Sequence, residues 1–275
     1  MTTDDFDILI KMFVFLLFVI GVCVGSFLNV LIDRIPREES VVKGRSHCEK
    51  CKKNLEWHDL IPLFSFIFLR GKCRFCRSSI GLYYPIVELT TGLLFVFSFL
   101  LLPDGSIKYQ VLSIKYLLFW IYYFFIISSL IVIFFTDLKY GIIPDKIIYP
   151  AIFVSSLFLI FQYPGIPISN FLSAVGGFVF FFLLFLITKG KGMGFGDVKL
   201  VFLMGLFLGF PKIIAALYIS FLTGAIVSLI LVLGKKKNFF GGTVPFGPFL
   251  IFGTIIAWFF GKIVLQKILP YGFGF

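Results

Sequence analysis

Long runs of apolar residues restrict the fold of this chain more than any other feature. The runs lie at about 10–31, 85–102, 115–135, 147–161, 170–187, 200–210, 213–233 and 249–268. A membrane-spanning helix needs about 20 apolar residues, with a range of about 17–25. The fourth and sixth runs are short, and the sixth suffices only if its helix begins near Asp197. The sequence therefore predicts an all-α polytopic membrane protein with about eight transmembrane helices, with seven as the alternative.

Composition excludes the water-soluble classes of protein. Of the 275 residues, 59% are hydrophobic and 14% are charged, and 40 are Phe. Soluble domains have about 45–50% apolar and about 25% charged residues. A secreted disulfide scaffold, a disordered chain and an ordinary cytosolic enzyme are all excluded. The first run follows an acidic start instead of a basic one, so we expect a retained helix and not a cleaved signal peptide.

The distribution of basic residues predicts how the chain crosses the membrane. With the N-terminus outside, 19 of the 25 Lys and Arg residues fall in inside loops and six outside, as the positive-inside rule requires. The triplet at 235–237 falls inside only if the 200–210 run crosses, which favours eight spans. Topology thus accounts for the net charge of +11, and we expect no nucleic-acid partner.

The loop at 32–84, between the first two runs, contains two Cys-x2-Cys pairs 21 residues apart. The four residues are Cys48, Cys51, Cys73 and Cys76. Two such pairs supply the tetrahedral sulfur set that Zn²⁺ accepts, and a site closed by four sulfurs is structural. We therefore predict a small zinc-knuckle insert that the metal helps to fold. Redox dithiols, bystander thiols and a ligand role for His47 are the alternatives. Cys23, in the first run, is predicted to pack, and His58 to be an ordinary loop residue.

Two acidic residues at the ends of apolar runs are candidates for catalysis. Asp137 ends the third run and Asp197 opens the sixth, both at the predicted inner face. An ionisable residue inside a membrane segment is a functional hypothesis by default. Two carboxylates that meet in a partly dry site share a proton near neutrality, and so provide a general base and a general acid. The glycines at 192, 194 and 196 would let a substrate chain approach closely.

Simpler roles for these acids stay open at this point. Asp145 follows Pro144 and precedes an apolar run, so it is predicted to be an N-cap. Asp197 could merely cap its own helix, and Asp137 could pair with Lys139. A proton-binding transporter and a membrane scaffold built on the zinc module are the alternative functions.

Several motifs occur in the order found in one known family. They are GSFLNVLIDRIP at 25–36, the two Cys-x2-Cys pairs, WHDLIPLFSFIFLRGKCRFC at 57–76, YYPIVELTTG at 83–92, TDLKYGIIPD at 136–145, GMGFGDVKL at 192–200 and PFGPFL at 245–250. With this set the chain resembles the bacterial type IV prepilin peptidases, the leader peptidase/N-methyltransferases.

The resemblance implies a GxGD-class membrane aspartic protease with Asp137 and Asp197 as its catalytic pair. It places Gly194, Gly196 and Lys199 in supporting positions, and it makes the four paired cysteines zinc ligands. Glu88 matches a recurrent acid of the family, whose role could be structural.

The implied activity is removal of a short basic leader from prepilins and pseudopilins at the cytoplasmic face of the bacterial inner membrane. Methylation of the new N-terminus by S-adenosylmethionine is implied too, with no residue mapped to it; a peptidase without methyltransferase activity is the alternative. The expected division is a first transmembrane helix (1–31), a cytoplasmic cysteine loop (32–84) and a membrane-embedded peptidase domain (85–275).

Overall fold

The computed structural model describes residues 3–101, 114–162, 168–190, 192–234 and 244–268. These residues form helices and loops, with two isolated β-bridges and no named strand among them. The helices are α1 (Thr3–Arg34), α2 (Phe64–Phe68), α3 (Tyr83–Leu101), α4 (Ile114–Tyr140), α5 (Asp145–Gln162), α6 (Ile168–Ile187), α7 (Phe195–Leu208), α8 (Lys212–Leu233) and α9 (Gly247–Ile268). The basic triplet at 235–237 lies outside the described residues.

Each predicted apolar run corresponds to a helix, which confirms the all-α membrane class. Five described helices are long and apolar enough to cross a membrane: α1, α3, α4, α6 and α8. Helix α7 has only 14 residues, and the apolar part of α9 is Gly247–Gly261. The count of eight spans therefore stays a prediction.

The chain forms two compact units, Met1–Val132 and Ile133–Phe275. In the first unit, α1 and α3 pack closely through glycines. A Cβ placed at Gly21 would lie 2.8 Å from the Cα of Gly92, and one at Gly25 would lie 2.7 Å from the Cα of Glu88. Gly21 and Gly25 therefore let the two helices approach closely, as small residues do between membrane helices. Cys23 lies on the exposed side of α1, so its predicted packing role is wrong.

The second unit is built around α7, which contacts α5, α6, α8 and α9. From Val198 to Leu208 this helix buries nearly every side chain, because it is apolar all round instead of along one stripe. Gly205 lies directly against Ala174 of α6. Gly209 ends α7 with a φ of +67°, and a Cβ there would lie 2.9 Å from Asn170 Oδ1 of α6. A short helix enclosed by other helices needs no lipid contact of its own, and this position carries Asp197 into the interior.

Candidate functional site

Asp137 lies in the last turn of α4. The helix ends just after it because Gly141, with a φ of +66°, donates its N–H to the carbonyl oxygen of Asp137 at 2.8 Å. A glycine with left-handed backbone angles commonly ends a helix. The side chain of Asp137 is only 6% exposed, so a carboxylate is held in a dry environment at a helix end.

Asp197 lies in the first turn of α7 and is 7% exposed. Gly194 occupies the N-cap position with φ −75° and ψ 150°, and its carbonyl oxygen accepts the Asp197 N–H at 3.2 Å. Because Gly194 is the capping residue, Asp197 does not have the N-cap role that the sequence left open. Its carboxylate faces back toward the glycine turn, with Oδ2 3.9 Å from a Cβ placed on Gly194.

Ile143 links the surroundings of the two aspartates. A Cβ on Gly196, next to Asp197, would lie 3.0 Å from Ile143 Cβ, and one on Gly247 would lie 3.4 Å from Ile143 Cδ1. Gly247 in turn lies directly against the Asp137 carboxylate. The two carboxylates are close enough for a direct electrostatic interaction, so the structure brings together the ends of α4 and α7.

The Oδ2 atom of Asp137 is buried and makes no hydrogen bond within the part of the chain that the structure describes. The backbone N–H of Gly247 acts on this carboxylate electrostatically, although the contact falls outside hydrogen-bond geometry. A buried polar atom without a partner is costly in a purely structural position. Such an atom is suited to receive a proton from a water or a substrate group.

Lys199 joins the starts of α5 and α7. Its side chain is 13% exposed, and its Nζ donates to Asp145 Oδ1. The same ammonium lies 5.1 Å from the ring centroid of Tyr149 and 5.5 Å from that of Phe195. Asp145 is the first residue of α5 and pairs with Lys199, so its predicted role as an N-cap is wrong. Lys199 therefore connects two helix starts next to the aspartates. This connection is a physical basis for the supporting position that we expected for it.

The four paired cysteines lie together in the first unit. Their sulfur atoms are all within 4.8 Å of one another, and the Sγ atoms of Cys48 and Cys76 are 3.8 Å apart. A tetrahedral zinc with Zn–S bonds of about 2.3 Å separates its sulfurs by about 3.8 Å. The donor set therefore fits a closed Zn²⁺ site. His47 is not part of this cluster among the described residues, and its Nδ1 lies 3.4 Å from the Arg45 carbonyl.

The two halves of the cluster have the same local structure, offset by 25 residues. In the first, Cys48 N–H bonds the Lys53 carbonyl at 3.0 Å and Lys52 N–H bonds the Cys48 carbonyl at 2.9 Å. In the second, Cys73 pairs in the same way with Ser78 and Arg77. Lys52 and Arg77 both have left-handed φ angles, of 57° and 54°. The repeat turns the two thiols of each pair toward one point.

Backbone and hydroxyl donors already favour two of the thiolates. The Cys51 backbone N–H is the main cause that lowers the pKa of Cys48 to about 6, and the Ser78 hydroxyl lowers the pKa of Cys76. For Cys51 the Lys53 N–H lowers the pKa, but dehydration and the neighbouring thiols outweigh it and raise the pKa to about 11. Four close thiols cannot all ionise without a cation, and a bound metal would supply that charge.

Comparisons with known proteins match two ranges of the chain to family models. Residues 19–102 match the family model described as the bacterial peptidase A24 N-terminal domain, and residues 124–229 match the type IV leader peptidase family. A prepilin leader peptidase/N-methyltransferase of Bacillus subtilis is 33% identical over 260 residues, which cover 91% of this chain and 96% of that protein. The chain belongs to the type IV leader peptidase family.

Two further prepilin leader peptidase/N-methyltransferases are similar to the chain. The protein of Neisseria gonorrhoeae is 31% identical over 93% of this chain and 92% of its own length. The protein of Myxococcus xanthus is 34% identical over 82% of this chain and 65% of its own length. No solved structure matches the chain. The first matched range contains all four paired cysteines, and the second contains both aspartates.

Sequence reasoning did not assign a role to Gly247 or Leu63, which the structure places in contact with buried acids. Two prolines flank the Phe-Gly pair at the start of α9, and this was the available signal for Gly247, since it marks a fixed turn at a helix start. Leu63 gave no such signal. Its N–H finds Glu88, 25 residues away, only in the folded chain.

Proposed function

We propose that the chain removes the leader peptide from prepilins and pseudopilins, with Asp137 and Asp197 as the catalytic pair. The observation that carries this proposal is that two buried carboxylates, 60 positions apart in the sequence, lie at helix ends close enough to interact electrostatically, within the range matched by the leader peptidase family. The named activity of the relatives supports the same conclusion.

The arrangement suits peptide hydrolysis by a shared proton. One carboxylate acts as the general base, takes a proton from a water and directs that water at the scissile carbonyl. The other donates its proton to the departing nitrogen. The glycine turn before Asp197 leaves room for a substrate backbone, because a Cβ on Gly194 would meet only Asp197 Oδ2 and the Gly196 backbone nitrogen, both at 3.9 Å.

The substrate class follows from the membrane setting. A prepilin-type substrate joins a charged leader to an apolar helix, and a dyad at helix ends lies where such a leader would meet its helix. We infer that this is the cytoplasmic side of the inner membrane, because basic residues concentrate on that side of the predicted topology. The division into 1–31, 32–84 and 85–275 is part of the same proposal.

Zinc would be held by the four cysteine thiolates and would stabilise the fold of the loop without contacting a reacting group, since a four-sulfur site is closed. S-adenosylmethionine would supply the methyl group for the new N-terminus, in line with the name of the relatives. We assign no described residue to binding of this donor.

The test is cleavage of a prepilin in proteoliposomes, with mass spectrometry of the new N-terminus. Separate Asp137→Asn and Asp197→Asn variants are expected to insert normally and to lose cleavage by at least about a thousandfold, since the amide cannot act as base or acid. Glu39→Gln, which changes an exposed carboxylate in the loop, is the matched control and should cleave normally.

The outcomes separate the competing functions. Leader loss with the added mass of one methyl group supports both activities, and leader loss alone supports a peptidase only. If both Asp→Asn variants cleave at the wild-type rate, the assignment of the dyad is wrong. A proton-binding transporter or a scaffold predicts no cleavage by the folded wild-type protein.

A further inference from the structure

An exposed apolar surface covers one side of the loop that carries the cysteines. We call residues 35–82 the cysteine module and residues 57–69 its apolar segment. Six large side chains of this segment are exposed: Trp57 (77%), Leu60 (42%), Ile61 (38%), Phe64 (62%), Ile67 (70%) and Phe68 (82%). An apolar cavity of about 390 Å³ opens among Ile61, Phe64 and Phe68. A contiguous apolar patch of this kind indicates a binding surface.

A hydrogen bond ties the segment to the first turns of α3, a helix able to span the membrane. The Leu63 N–H donates to Glu88 Oε2 at 2.8 Å, and the Ser26 side chain of α1 lies close to the same carboxylate. Glu88 is the sixth residue of α3, a helix able to span the membrane, so it lies about 8 Å along the axis from Tyr83. The interfacial zone beyond the hydrocarbon core has a similar thickness, roughly 5–8 Å on each side. A helix that begins at the outer edge of this zone therefore places Glu88 near the edge of the hydrocarbon core.

The exposed face of the segment continues a lipid-facing surface. Ile86 and Leu89, which flank Glu88 on α3, are 49% and 42% exposed within the described part of the first unit. Their helix can cross a membrane only with such side chains in contact with lipid. Because Glu88 ties Leu63 to this helix, the apolar segment lies beside the outer turns of the span.

The charge pattern of the module matches a lipid surface as well. Residues 57–69 contain one acid, Asp59, whose side chain is 2% exposed and pairs with Arg74 at 2.7 Å. Four basic residues and no acid follow at 70–77, and each of these cations is exposed. Exposed aromatic side chains beside exposed cations are the composition of helices that lie in the membrane interface.

We propose that the apolar segment inserts into the boundary between headgroups and acyl chains of the leaflet on which the cysteine module lies, and so anchors the module to the bilayer. The aromatic side chains enter the acyl region, and the cations at 70–77 contact anionic headgroups. The cysteine cluster and the Glu88 bond fix the segment in the orientation in which its apolar face meets lipid. This proposal depends on the membrane character of the chain and not on its peptidase activity.

The test uses the fluorescence of Trp57 in the full-length protein. The chain has three Trp residues, and the changes Trp120→Phe and Trp258→Phe leave Trp57 as the only indole. The protein is reconstituted in vesicles of neutral and anionic phospholipid in which bromine is carried either near the headgroup or near the chain end. For insertion of roughly 5–10 Å we expect about a twofold loss of emission with the shallow bromines, and little loss with the deep ones.

Matched variants identify the surface. The double change Phe64→Ser and Phe68→Ser should reduce quenching by lipid and raise quenching by aqueous iodide. Val42→Ser is the control, because Val42 is 93% exposed in the same module outside the apolar segment. This change should leave the quenching by lipid and the quenching by iodide as they are in the parent protein. Glu88→Ala should also reduce quenching by lipid, whereas Glu88→Gln, which keeps an acceptor for the Leu63 N–H, should restore it.

Several results would overturn the proposal. They are free access of iodide to Trp57 with no effect of brominated lipid, protection that appears only when a prepilin is added, and protection in detergent that rises with protein concentration. In case the single-Trp protein does not fold, the wild-type protein is labelled with a diazirine phospholipid that reacts near the headgroup. Adducts in 57–69 but not around Val42 support the proposal, and the reverse pattern contradicts it.

Discussion

Gly247 lies directly against the Asp137 carboxylate, and a Cβ at position 247 would overlap Oδ2 of the aspartate. Gly247 is the first residue of α9, whose opening turn is closed by hydrogen bonds from Phe249 and Leu250 to the Phe246 carbonyl. The start of α9 therefore forms one wall of the space around Asp137. Any side chain at position 247 would displace either the helix or the carboxylate.

We expect Gly247→Ala to lower leader cleavage by about a hundredfold or more while the protein still inserts and folds, because displacement of a catalytic group by about 1 Å has an effect of this size. Gly176→Ala is the matched control. It is also a helical glycine of the second unit, but a Cβ there would meet nothing within 4 Å. Rates are measured in proteoliposomes at equal protein content. Wild-type cleavage by Gly247→Ala would show that this wall does not position Asp137.

Lys199 is expected to couple the starts of α5 and α7. Because Asp145 is 59% exposed, water can replace much of the ion pair, and a double-mutant cycle of Lys199→Met with Asp145→Asn should give only about 0.5–1 kcal/mol of coupling in the free energy of unfolding. Lys146→Met removes an exposed cation from α5, the helix that carries Asp145, and serves as the control. A coupling near zero would mean that the pair does not link the two helices.

Zinc content is expected to depend on both cysteine pairs. The purified protein should contain about one equivalent of Zn²⁺. The variant with Cys48→Ser and Cys73→Ser should lose the metal and become sensitive to proteolysis between 40 and 80, since the module has little core of its own. Cys23→Ser, an exposed cysteine of α1, should keep the metal. Full retention of zinc by the double variant would contradict the site.

Acid is expected to release the metal, because protons compete with it for the thiolates. The pKa of Cys48 lies below its ordinary value, at about 6, so its thiolate is favoured above that pH and is lost as the pH falls through it. Zinc should therefore stay bound near neutral pH and dissociate progressively as the pH falls, since all four thiolates compete with protons for the metal. A chromogenic chelator measures the release. Release that increases with rising pH would contradict this sign.

The length of an apolar run is a local property of the sequence, and it predicted the helices well. Runs of about 20 apolar residues, such as those of α4 and α8, need no partner to be recognised as membrane helices. Helix α7 was the weakest prediction because it has 14 residues, and only its burial among neighbouring helices explains how so short a helix is accommodated. Cys23 and Asp145 were misjudged for a related reason: their environments depend on residues distant in the sequence.

The sequence by itself determined the helical membrane class, the two cysteine pairs and the two aspartates, because each of these is a matter of residue type and short spacing. Tertiary structure decided what those residues meet: Gly247 against Asp137, Lys199 on Asp145, and the Leu63 N–H on Glu88. These contacts join positions 25 to 110 residues apart. They depend on how helices pack, which no local pattern specifies, and so they appear only in the folded chain.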